Sequence, residues 1–149
     1  AGIIQNNFEL LGEIKYTESE IDYANTILKE TGKELKGLDG TIKPLRPTLP
    51  AQGGSTDVGD VSQVVPVVRL RTTTAAKDGP WHSWAVVACT GMSIGHKGMI
   101  YASKALAMTM LDLYKNPKLI DGVRKEFLVR KGDRVYVPQI PPGPPKLID

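Results

Sequence analysis

Apolar and polar positions alternate along this chain with two different rhythms, and each rhythm predicts an element. Near the N-terminus, Ile21, Ala24 and Leu28 recur at helical spacing, with Tyr23 and Ile27 widening the stripe. The stretch opens on Thr17-Glu18-Ser19-Glu20, a capping box in which the Thr17 hydroxyl accepts from the Glu20 N–H while the Glu20 carboxylate reaches back to the Thr17 N–H. Gly32 supplies a stop. A helix is therefore expected from Glu18 to Thr31. Ahead of it, residues 1–16 hold two short apolar runs with no clear element.

Further along, Met99, Ala102, Leu106, Met110 and Leu113 repeat every three or four residues, predicting a helix from Gly95 to Tyr114. A face rich in Ala and Met suggests close packing on a sheet. Asn116-Pro117 then caps a shorter helix reaching Leu128. The second rhythm is that of strands. Val67 to Thr74 is β-branched and bounded by Pro66 and a Lys77-Asp78-Gly79-Pro80 turn. Trp84 to Cys89 has the composition of a buried strand, and Arg134-Val135-Tyr136-Val137 that of an edge strand. Residues 33–54 read as a long loop punctuated by Gly and Pro, and Asp60 to Val65 as one helical turn. The tail after Pro138 is too proline-rich for helix or central strand.

Composition changes this picture little. The 149 residues are 41% hydrophobic and 23% charged, as in ordinary globular domains. A net charge of +3, spread along the chain, leaves no nucleic-acid footprint. No apolar stretch is long enough to span a bilayer, and no signal-like segment opens the chain, so a cytoplasmic protein is expected. The lone Cys89, set in an apolar run, reads as a small buried hydrophobe. The chain starts at Ala1, which fits either removal of Met or a piece of a longer protein.

Candidate chemistry centres on the stretch from Gly53 to Trp84. It begins with Gly53-Gly54-Ser55-Thr56-Asp57-Val58-Gly59-Asp60-Val61-Ser62 and ends on Pro80-Trp81-His82-Ser83-Trp84. Only His82 and His96 can offer imidazoles, and Asp57, Asp60 and Asp78 are the nearest carboxylates. No HExxH, CxxC, P-loop or nucleophile-elbow pattern occurs. From the residues alone, His82 is either a metal ligand or a histidine held in a loop between Trp81 and Trp84. Asp57 and Asp60 suit turn and N-cap duty equally well.

Taken together, Gly-Ser-Thr-Asp-Val-Gly-Asp-Val-Ser at 54–62, His82-Ser83-Trp84, and Gly95-His96-Lys97-Gly98-Met99 opening an Ala-rich helix resemble a family. It is the aminoacylase/carboxypeptidase group of two-metal amidohydrolases, and within it the p-aminobenzoyl-glutamate utilisation amidohydrolases of the B subunit type. The resemblance runs from Phe8 to Phe127. It implies an α/β fold: residues 1–130 would be the C-terminal part of a three-layer α/β/α catalytic domain that lacks its N-terminal half, and residues 131–149 an edge strand and proline-rich tail. It implies that His82 is a metal ligand and that Gly54, Ser55, Thr56 and Asp57 lie beside the site, contacting substrate or orienting ligands. No catalytic residue is assigned in this chain, since the general-base Glu is expected outside it. The implied cofactor is a divalent metal, zinc or manganese, with two ions in the complete enzyme. The implied substrate is an N-acyl or N-aroyl amino acid such as p-aminobenzoyl-glutamate, which links the chain to folate catabolism. The missing N-terminal half would be its main partner, in a homodimer or heteromer. A non-catalytic binding or assembly module that keeps the fold is the alternative.

Overall fold

A computed structural model describes residues 1–45, 56–138, 140, 143 and 144. The described residues form six helices and no strand: α1 (Gly2–Leu11), α2 (Glu18–Glu30), α3 (Val58–Val64), α4 (Trp84–Thr90), α5 (Ser93–Lys115) and α6 (Pro117–Lys131). The chain divides into two compact units. The first joins Ala1–Leu49 to Arg69–Asn116, and the second joins Pro50–Val68 to Pro117–Asp149.

The expected α/β architecture is therefore corrected to an all-helical one. Two of the three expected strands fail for identifiable reasons. Trp84 to Cys89 is helical because its apolar residues serve one face: Ala85 and Cys89, four apart, are buried, while Val87 is 70% exposed. A short apolar run does not distinguish strand from helix by itself, and here the packing decides. Residues 67–74 carry no helix, but their polar groups bond to loops and helices rather than to a ladder. Tyr16 donates through its hydroxyl to the Thr73 carbonyl at 3.3 Å. The Thr73 hydroxyl donates to the Asp39 carbonyl, and the Thr72 hydroxyl to the Gly98 carbonyl at 3.2 Å. Residues 134–137 likewise form no strand.

The first unit is built on α2 and α5. The capping box is present as the sequence dictates: the Glu20 N–H donates to the Thr17 hydroxyl at 3.3 Å, and the Thr17 N–H donates to the Glu20 carboxylate at 2.7 Å. Ala24, Ile27 and Leu28 of α2 then form a core with Ala76, Ala85, Cys89 and Ile94. Cys89 is buried, as its apolar setting implied.

Helix α5 has the expected extent but not the expected inner face. Met99, Leu106 and Met110 are about half exposed or more, at 57%, 47% and 55%. The buried residues are Ile94, Gly95, Gly98, Ala105 and Thr109. Small residues face inward because backbone comes very close there. A Cβ on Gly98 would collide with the Thr73 carbonyl, and one on Gly95 with the backbone of Thr90. Helix α1 packs on α5. Asn7, itself buried, donates to the Thr109 hydroxyl at 3.1 Å and to the Asp112 carboxylate at 2.8 Å. The Phe8 and Tyr101 rings stack at 5.5 Å.

In the second unit, the expected helical turn at Asp60 to Val65 is α3, which starts two residues earlier. Helix α6 begins at Pro117, as the Asn-Pro pair predicts, and runs three residues beyond the expected Leu128. No described helix is long and apolar enough to cross a membrane.

Candidate functional site

His82 sits at the end of a turn that the sequence does much to specify. The Gly79 N–H donates to the Ala76 carbonyl at 3.2 Å. The preceding Lys77 N–H is fastened to the Gly37 carbonyl at 2.9 Å. Asp78 is paired with Lys36 at 3.0 Å, an exposed contact that raises the Lys36 pKa. Pro80 stiffens the exit of the turn. Two residues of this segment, Asp78 at φ = 59° and His82 at φ = 58°, lie in the left-handed region. Residues with a side chain rarely occupy this region, and when they do it frequently marks a functional site. Ser83 returns to extended backbone at φ = −136° as the N-cap of α4, and its hydroxyl donates to the Pro80 carbonyl at 2.6 Å.

The segment therefore holds His82 on an abrupt bend that is closed by a hydrogen bond on one side and a helix start on the other. The side chains of this segment are strongly exposed: His82 is exposed, Trp81 is 69% exposed and Trp84 is 56% exposed. Between the turn and the core, Ile27, Ala76 and Ala85 line, with Pro80 and Trp81, a small cavity of about 10 Å³.

The remaining sequence-predicted residues are placed as follows. Gly54 and Ser55 lie outside the described residues. Thr56 and Asp57 belong to the second unit, where the Thr56 hydroxyl accepts from the Val58 N–H at 3.3 Å. Asp57 takes the N-cap position of α3 without a side-chain bond to the helix. Asp60 lies in the first turn of α3. His96 is in the first turn of α5 and lines a cleft of about 450 Å³ in the first unit, together with Lys15, Lys97, Tyr101 and Lys104.

Among the described residues, no group of three or more His, Cys, Asp or Glu side chains could hold a metal ion. Three or four donors are the usual requirement for zinc. The described residues thus do not fit a metal ion by themselves; what the turn offers is the exposed imidazole of His82.

Sequence reading missed the least exposed ion pair of the first unit, Lys97 with Glu20. Burial pushes the Glu20 pKa up, but hydrogen bonds from Lys97, Ser93 and the Thr17 N–H outweigh it and hold the carboxyl down to about 2. Lys97 lies 2.6 Å from Glu20, and its ammonium also donates to the Lys15 carbonyl at 2.9 Å. Lys97 was legible only as part of a motif opening α5. Asp39 forms a second anchor, with Lys43 at 2.9 Å and Lys77 at 3.2 Å. Hydrogen bonds from Thr41 and then Lys43 outweigh burial and hold its carboxyl well below the usual carboxylate range.

Comparison with characterised proteins agrees with the resemblance drawn from the motifs. The chain is 35% identical over 89 residues to one of the subunits of the p-aminobenzoyl-glutamate hydrolase of Escherichia coli, covering 60% of this chain and 18% of that protein. It is 38% identical over 119 residues to the mouse Xaa-Arg dipeptidase, covering 74% of this chain and 27% of that protein. The human Xaa-Arg dipeptidase is 30% identical over 89 residues, 60% of this chain and 20% of its own length. This chain therefore spans about a fifth to a quarter of the length of the curated relatives it matches. No family model matches, and no solved structure does. The relatives are hydrolases of the amidohydrolase and dipeptidase type.

Proposed function

We propose that this chain forms one wall of the active site of a divalent-metal-dependent amidohydrolase that cleaves an N-acyl or N-aroyl amino acid or a dipeptide. The observation that carries the reading is the similarity to three hydrolases, of which one is named for p-aminobenzoyl-glutamate and two for Xaa-Arg dipeptides. His82 is the residue assigned to the metal, zinc or manganese. Its left-handed backbone, which Asp78 of the same turn shares, and its exposure are compatible with the assignment. The other metal ligands and the general-base Glu come from outside this chain. Gly54, Ser55, Thr56 and Asp57 serve substrate contact or ligand orientation through hydroxyl and backbone N–H groups.

The test is hydrolysis of p-aminobenzoyl-glutamate and of an Xaa-Arg dipeptide by the protein purified from its own cell. Cleavage of at least one, lost on chelation and restored by zinc or manganese, is expected. His82→Ala should remove it while leaving the helical circular dichroism signal intact. Cleavage of neither compound would overturn the reading, and full turnover by His82→Ala would overturn the role of His82.

A further inference from the structure

We infer that the cleft between α5 and the connection from α1 to α2 binds a small soluble phosphate ester with an apolar body. None of the residues lining it belongs to the His82 turn, so this is a second site and does not depend on the role of His82.

Shape comes first. The cleft holds about 450 Å³, within the range of pockets that take small organic molecules. Its two walls are joined by the protein's own hydrogen bonds. The Tyr101 hydroxyl of α5 donates to the Gly12 carbonyl at 2.8 Å, and the Lys97 ammonium donates to the Lys15 carbonyl at 2.9 Å. A ligand therefore meets preformed walls, and little ordering accompanies its binding.

Charge selects the head group. Lys15, His96, Lys97 and Lys104 line the cleft, and no carboxylate does. Two of the lysines are engaged, Lys97 with Glu20 and Lys15 with Glu13. Lys104 and His96 form no ion pair among the described residues. Even an engaged lysine keeps donors free, since an ammonium carries three N–H groups and Lys15 gives one to Glu13. Lysine binds phosphate as a point charge. Several cations around one space suit the double charge and three oxygens of a phosphate monoester better than the single charge of a carboxylate.

The apolar lining selects the rest of the molecule. Leu11, Ile14 and Ile100 face the same cleft as the cations. Inorganic phosphate gains nothing from them, whereas an apolar body removes them from water. The ligand carries both parts on one small molecule.

The experiment is a calorimetric titration of the complete protein, treated with chelator so that phosphate cannot bind a metal. The probes are phenyl phosphate, inorganic phosphate and benzyl alcohol. Phenyl phosphate should bind tightest, because it alone meets both linings. Lys104→Gln should raise its Kd by up to about fivefold, the worth of an exposed ion pair, and should leave benzyl alcohol unmoved. Lys104→Arg, which keeps the charge, should keep the affinity. Ile100→Ser should weaken phenyl phosphate and benzyl alcohol and spare inorganic phosphate. Lys104 is exposed and Ile100 is 50% exposed, so neither change empties the core. Failure of phenyl phosphate to bind at millimolar concentration overturns the inference. Binding that neither Lys104→Gln nor Ile100→Ser moves belongs elsewhere on the protein and also overturns it. Binding to phosphatidic acid vesicles with none to phenyl phosphate would overturn the soluble ligand.

Discussion

The Lys97 ammonium donates a 2.6 Å hydrogen bond to the Glu20 carboxylate, joining the first turn of α2 to the first turns of α5 across 77 residues of sequence. Ser93 takes the other carboxylate oxygen, also at 2.6 Å. One carboxylate thus caps its own helix and fastens a second. Lys97→Met leaves Glu20 buried without its cation. We expect a loss of about 1.5–3 kcal/mol in urea unfolding, the range for hydrogen bonds to charged groups. Glu20→Gln combined with Lys97→Met should lose less than the sum of the two single changes, because neither partner is then left uncompensated.

The same pair sets an acid dependence. Glu20 is held at about 2, below its ordinary value of 4.5. A depressed carboxyl contributes stability that is fully present above the unfolded pKa and is lost as pH falls toward the folded one. Stability should therefore decline between about pH 4.5 and pH 2. In Glu20→Gln that part of the decline should vanish. A midpoint in urea that follows pH identically in both proteins would contradict it.

Gly98 tests the close approach of α5 to the extended segment. Gly98→Ala aims a methyl group at the Thr73 carbonyl. The gain in helix propensity, about 1 kcal/mol, should be outweighed by overpacking of about 1–3 kcal/mol. Gly122→Ala in α6, where a Cβ meets nothing, is the matched control and should stabilise. Thermal melts of the two variants should move in opposite directions.

His82 separates strain from function. A non-glycine residue in the left-handed region costs about 1–3 kcal/mol. His82→Gly should therefore raise the melting temperature, and His82→Ala should not. Both should abolish hydrolysis if the imidazole is a metal ligand. Unchanged stability in His82→Gly would mean that the turn relaxes without it.

The parts of this fold that were legible in the sequence are those decided within a few residues. The Thr17–Glu20 capping box needs four positions, and the Asn116-Pro117 start of α6 needs two. What was not legible depended on partners far away. Trp84 to Cys89 looked like a strand because six apolar residues carry no period, and only the burial of Ala85 and Cys89 beside Leu28 and Ile94 makes them helical. The inner face of α5 was misjudged because hydrophobicity favours Met and Leu, whereas close backbone contact favours Gly98 and Ala105. At the candidate site, the motif pointed to His82, but nothing in a Trp-His-Ser-Trp sequence announces a left-handed backbone.

Helix α1 is made well before α5, yet what holds it arrives near the end of the unit. Asn7 waits for Thr109 and Asp112, which lie 102 and 105 residues downstream, and the Gly12 carbonyl waits for Tyr101, 89 residues on. A ten-residue helix is marginal in water without packing. On the ribosome, α1 therefore emerges unfastened and stays so until α5 has been translated. Closing so long a loop adds little entropy cost per added residue, but it sets an order of events. Helix α1 is made before α5 yet cannot dock until α5 follows, and the nascent chain carries Ile4, Phe8 and Leu11 without their α5 partners for that interval.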